Sequence, residues 1–303
     1  MGFDPLGSDP MGSDLIDSDL VDSAASVPAA SEPDSWILYM VAIAMIYISL
    51  VALRKLASHF FAKSAPQTNV PLFKIEDLLI IFGLWIFSTT AVVSLILTLF
   101  DDRFLAIPSS AIISILMMVM TITVHRKRCV EQNRPTDFFI VDGTSAGKLV
   151  GVALLALLCY LPAHLGVSWF WDSLLRVFDF DNDVQQGVVV IRDAIQQQNW
   201  GLLLSMALMA VVIAPCIEEV LFRGLLFRFL RDQNGFFPAA LISSMLFGLM
   251  HDASWGPLVV LGFLLAWLYQ RSGNLLVSII FHATFNSVTI GLLFLVEYMG
   301  WGA

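Results

Sequence analysis

The sequence predicts an all-α, polytopic transmembrane bundle of about eight spans behind a disordered acidic tail. Three observations lead there. Hydrophobic residues make up 58% of the 303-residue chain and charged residues 14%, against roughly 45–50% and 25% in an ordinary soluble domain. The apolar residues are gathered into runs near the ~20 residues needed to cross a hydrocarbon core. The acidic residues gather at the start: Asp4, Asp9, Asp14, Asp17, Asp19, Asp22, Glu32 and Asp34 stand in residues 1–35 with no Lys or Arg among them.

That first segment is rich in Asp, Ser, Pro and Gly and too poor in apolar side chains to bury a core, so disorder is expected for residues 1–35. It lacks the positive n-region of a secretory signal. The formal charge of -9 is mostly its doing. The remainder is close to neutral, which gives no argument for a basic partner or for nucleic acid.

From Trp36 the apolar runs begin, and spans are expected near 36–53, 78–100, 105–124, 149–171, 201–230, 237–251, 257–270 and 275–296. The sixth and seventh are short for independent spans, which predicts that neighbours shield them. Basic clusters set the orientation. Arg54, Lys55 and Lys63 follow the first run, His125 to Arg128 the third, Arg228 and Arg231 the fifth, and Arg271 the seventh. All fall on one side, expected to be cytoplasmic, with the tail, Asp101–Asp102 and the 172–200 segment on the other. The 172–200 segment, with Asp172, Asp179, Asp181 and Asp183, reads equally as an interfacial helix or a loop. Pro162 within the fourth run is read as a kink.

Ionisable residues inside the last runs are the informative exception. Ala214–Arg223 reads A-P-C-I-E-E-V-L-F-R and places Glu218, Glu219 and Arg223 in an otherwise membrane-compatible stretch. Each charge at membrane depth costs at least ~2.5–3.5 kcal/mol. A soluble helix carrying an i,i+4 ion pair on its wet face does not fit, because Gly201–Ile213 and Val220–Leu230 offer no wet face. Two further pairs follow at i,i+4 spacing, F-x-x-x-H (Phe247, His251) and H-x-x-x-N (His282, Asn286), each placing both side chains on one helix face. Counted at 1.5 Å per residue from the basic boundary, Glu218, His251 and His282 lie about 15–21 Å deep, within the middle layer of a ~30 Å core.

A carboxylate beside an imidazole can hold a water and take its proton. A second imidazole with an amide N–H can donate to the oxyanion of a tetrahedral intermediate. Ser243, Ser244 and Ser278 read as small packing residues, not nucleophiles. Cys129, Cys159 and Cys216 show no C-x-x-C spacing and argue against a thiolate metal site or a disulfide framework. Two histidines with one or two carboxylates are also a zinc-type ligand set. With no H-E-x-x-H the ligands would come from separate helices, and a divalent metal such as zinc is left open and not required. His59, His125 and His164 lie near expected span ends or loops and are given no role.

In these residues the chain resembles the CPBP family (CAAX proteases and bacteriocin-processing proteins, also called the Abi family), relatives of the type II CAAX prenyl endopeptidase. That family's three signatures, E-E-x-x-x-R, F-x-x-x-H and H-x-x-x-N/D, stand here in order as E-E-V-L-F-R, F-G-L-M-H and H-A-T-F-N within residues 200–290. The resemblance implies an intramembrane endopeptidase in a bacterial cytoplasmic membrane, with residues 200–296 as its catalytic core and 36–199 as accessory helices and loops. It implies that Glu218 and His251 activate water, that His282 and Asn286 form the oxyanion site, and that Glu219 and Arg223 support Glu218. It also implies a membrane-associated protein or peptide substrate, with prenylated and bacteriocin-like peptides both open. Buried Glu, His and Arg also make transporter or ion-binding sites. That reading expects repeated halves, and no second E-E-x-x-x-R stands in the first half. A silent scaffold on the same fold is the third reading.

Overall fold

A computed structural model describes residues 35–60, 72–100, 103–133, 145–178, 180, 186–251 and 255–299. The acidic tail, Lys63, Asp101–Asp102, Asp179, Asp181 and Asp183 lie outside these. By compactness the chain divides between residues 39 and 40. In the first unit the structure describes the opening turn of α1, and the second carries everything below.

Among the described residues the regular structure is helical: α1 (Ser35–Phe60), α2 (Ile75–Phe100), α3 (Arg103–Glu131), α4 (Ala146–Val177), α5 (Gln186–Gln196), α6 (Trp200–Leu208), α7 (Ala214–Glu218), α8 (Arg228–Asn234), α9 (Phe236–Leu249), α10 (Trp255–Ser272) and α11 (Leu275–Tyr298). Two π-wound segments, Met209–Ile213 and Glu219–Phe227, join α6, α7 and α8 into one helix over Trp200–Asn234. Six helices are long and apolar enough to cross a membrane: Trp36–Phe60, Ile75–Phe100, Leu105–Glu131, Ala146–Val177, Trp200–Asn234 and Leu275–Tyr298. The chain is an integral, multi-pass membrane protein.

Of the eight expected spans, six are these long apolar helices, and the two shortest, 237–251 and 257–270, correspond to α9 and α10. With 14 residues, α9 is about 21 Å long, short of a ~30 Å core, and α10 closes on Gln270-Arg271-Ser272. Each packs most extensively on the other. Ala240, Ser244 and Gly248 recur every fourth residue along α9 and are buried. A Cβ on Gly248 would come within 2.6 Å of Trp255 O, so this small-residue seam sets the helix separation. Ser278 donates to Leu265 O at 3.0 Å, pinning α11 to α10.

The turns at the basic end are built by glycine and asparagine. Gly235 (φ 79°) and Gly273 (φ 65°) adopt the left-handed backbone between α8 and α9 and between α10 and α11, a conformation that favours glycine. Asn274 then caps α11 by accepting from Leu276 N. At the same end Arg128 closes a bidentate pair on Asp77, 2.7 Å on each arm, fastening α3 to α2.

Pro162 lies within α4, and the N–H of the following Ala163 donates to Ser49 Oγ on α1 at 2.9 Å. The 172–200 segment contains the helix α5. It is tied to the end of α11 by Arg192 Nε and Gln196 Nε2, which donate to the two oxygens of Glu297.

Candidate active site around a broken helix

The Trp200–Asn234 helix changes character at Pro215. Neither α6 nor the Met209–Ile213 segment contains a buried residue, whereas every residue of Glu219–Phe227 is buried. π-Turns inside α-helices are frequent at functional sites, and here they flank the five residues of α7, which end on Glu218.

Glu219 and Arg223 form the innermost pair, each about 0% exposed. Arg223 Nη1 donates to Glu219 Oε1 at 2.9 Å and Nη2 to Gly262 O at 3.1 Å. The guanidinium also lies 4.4 Å from the Phe247 ring centroid, a cation–π contact worth up to about 2 kcal/mol when desolvated. Glycine at 262 permits this approach, since a Cβ there would stand 3.2 Å from Arg223 Nη2 and 3.2 Å from Phe247 Cδ1. His282 Nδ1 approaches the same Glu219 Oε1 at 3.0 Å. A carboxylate oxygen only accepts, so Nδ1 is the protonated nitrogen and Nε2 points onward.

Glu218 stands where that Nε2 leads. Its Oε2 is 3.8 Å from His282 Nε2 and 3.9 Å from His251 Nε2, and its side chain is 17% exposed where that of Glu219 is sealed. His251 is oriented by the end of α9, with Nδ1 2.6 Å from Phe247 O. That carbonyl is one of the acceptors a helix C-terminus leaves open, and the bond again leaves Nε2 facing Glu218. The i,i+4 spacing of F-x-x-x-H is thus used twice, the phenylalanine carbonyl holding the histidine and its ring holding Arg223. Gaps of 3.8 and 3.9 Å exceed a direct hydrogen bond and suit a bridging water.

Glu218, His251 and His282 converge from three helices. Glu219 bonds to Arg223 and His282, and reaches Glu218 through the histidine between them. Asn286, one turn beyond His282, directs Nδ2 to Ala210 O at 2.7 Å, on the far side of Pro215 from the carboxylates. Among the described residues no group of three or more His, Cys, Asp or Glu is gathered so as to hold a metal ion.

Two contributors were not singled out by sequence, Gly262 and Ala210, which act through carbonyl oxygens, while Phe247 of F-x-x-x-H adds its ring as a support for Arg223. A glycine among leucines and a proline three residues before the carboxylates were the available signals. His125 and His164 lie inside α3 and α4, not at span ends. His125 stacks on Phe73 and contacts Cys129, and His164 pairs with Tyr160. The serines pack as expected, with Ser243 and Ser244 donating to Ala240 O.

Residues 200–288 match the family model described as Type II CAAX prenyl endopeptidase Rce1-like, so the resemblance carried by the three motifs is borne out over that segment. Two curated bacterial proteins are similar to part of the chain. "Putative membrane peptidase YdiL" of Bacillus subtilis (strain 168) is 34% identical over 87 residues, 28% of this chain and 36% of that protein. "UPF0177 protein YxdF" of Lactococcus lactis subsp. lactis (strain IL1403) is 37% identical over 78 residues, 25% of this chain and 42% of that protein. The chain therefore aligns with less than half the length of these relatives. No solved structure matches it.

Proposed function

Taking residues 200–288 as an Rce1-like segment, we propose that the chain is an intramembrane endopeptidase that hydrolyses a peptide bond with an activated water. The observation that carries the reading is the single Glu218 oxygen set between two imidazole Nε2 atoms at 3.8 and 3.9 Å.

Water bridging Glu218 Oε2 and His251 Nε2 is polarised by both, and Glu218 takes its proton as the oxygen attacks the peptide carbonyl. The C–O bond forms, and the carbonyl oxygen becomes an oxyanion. His282, held at Nδ1 by the Glu219–Arg223 pair, is placed to carry a second proton on Nε2 and donate it as a hydrogen bond to that oxyanion. The proton on Glu218 passes to the leaving nitrogen as the C–N bond breaks, giving a carboxylic acid and an amine.

The substrate is a membrane-associated protein or peptide whose scissile bond reaches this depth. A prenyl anchor and an amphipathic bacteriocin-like peptide both meet that requirement. The test compares all protein termini in cells carrying the wild type and Glu218→Gln. New termini present in the first and lost in the second, by ~10²–10⁴ in rate, are expected and also name the substrate. Identical sets of termini with normal membrane insertion overturn the reading in favour of a transport or scaffold role.

A further inference from the structure

One backbone carbonyl in the broken helix has no donor of its own. Through Met209–Ile213 the winding is π, and Ala214 N–H reaches back five residues to Met209 O. The next bond in that register runs from residue 215 to Ala210 O, but residue 215 is proline and has no N–H. In α-register Ala210 O would receive Ala214 N–H, which is already engaged. Water is scarce at this depth and a free carbonyl is penalised. Asn286 Nδ2, 2.7 Å away, fills the vacancy.

α11 therefore grips the helix on both sides of the proline, Asn286 at Ala210 and His282, one turn earlier on the same face, at Glu219. We propose that Asn286 is a positioning residue that supplies the hydrogen bond Pro215 cannot, fixing the π-turn and hence the direction in which Glu218 faces His251 and His282. A π-turn holds one residue more than an α-turn, so its rewinding rotates whatever follows by about 100°. Glu218 lies three residues past the proline and would be carried away from both imidazoles. The inference deepens the proteolytic reading of this site and rests on it for the activity readout alone.

The test is a double-substitution cycle of Asn286→Ala and Pro215→Ala in full-length protein in lipid nanodiscs. Alanine at 215 restores the N–H and releases Asn286 from its task. Two readouts are taken. The first is the imidazole ¹⁵N signal of His282, identified among the five histidines by its loss in His282→Gln. The second is kcat on a peptide spanning the cut site found in the termini comparison. Asn286→Ala alone should displace the His282 signal and lower kcat on the order of tenfold or more, with KM little changed. In the Pro215→Ala background the same change should leave the signal in place and lower kcat less than about threefold, a coupling expected of residues sharing one bond.

Equal losses in both backgrounds would mark Asn286 as a direct oxyanion donor and overturn the proposal, as would an unmoved His282 signal. If the signals follow the cycle and no form cleaves, the positioning role stands and the protease reading falls. If cleavage depends on Glu218 without coupling, the reverse holds. Should the double variant not fold, Asn286→Leu serves instead. It has nearly the same shape without a side-chain N–H, so it must displace the His282 signal as alanine does, and an unmoved signal overturns the inference.

Discussion

The two halves of the Trp200–Asn234 helix belong to one continuous helix, yet they sit in different surroundings. Before Pro215 the helix presents side chains such as Leu204, 71% exposed, to surroundings that in a membrane are lipid. After it, nine consecutive residues are enclosed by protein, and two of them are Glu219 and Arg223. Apolar side chains fit the setting of either half, since acyl chains are as apolar as leucine. What separates them is polar supply. The enclosed half meets Gly262 O, His282 and the Phe247 ring, and the other half meets α11 through the Asn286 amide at its break.

If that contrast is right, the largest effect should follow Arg223→Ala, which removes the guanidinium from buried Glu219 and leaves it His282 alone, at a cost of about 3–5 kcal/mol. Unfolding in bicelles measures it, and Glu219→Gln combined with Arg223→Met should recover most of the stability while cleavage stays lost. Gly262→Ala comes next. Its Cβ would press on Ser244 Cβ at 3.1 Å and on Arg223 Nη2 at 3.2 Å, an overpacking worth about 1–3 kcal/mol, with cleavage falling alongside stability. Leu204→Ala in the lipid-facing half should change stability by no more than about 0.5 kcal/mol. A loss as large as that of Gly262→Ala would mean that this half is also packed by protein. Removal of residues 1–34 should leave cleavage unchanged, and a truncated protein that cuts nothing would show that the tail serves the site.

The sequence made the site legible where energy is costly. Three charges in an apolar run and two i,i+4 pairs at one depth were enough to foresee that Glu218, His251 and His282 meet. It did not show how they are held. Winding in π-turns has no side-chain pattern of its own, so the partly open setting of Glu218 and the sealed setting of its neighbour Glu219 were indistinguishable. The acceptors for Arg223 and Asn286 are backbone oxygens of Gly262 and Ala210, which every residue possesses and no motif marks. The shortness of the sixth and seventh runs was legible as a need for shielding, and α9 and α10 do pack on each other. His125 was placed at a span end because the basic cluster after it hides a helix that continues to Glu131.

The shortness of α9 has a consequence for the surrounding lipid. At about 21 Å it is shorter than a ~30 Å core, with His251 just past its last turn. A short apolar helix is accommodated by local thinning of the bilayer, which would carry water toward that histidine. Under the proteolytic reading, cleavage should therefore fall as acyl chains lengthen, and assays across a series of bilayer thicknesses measure it.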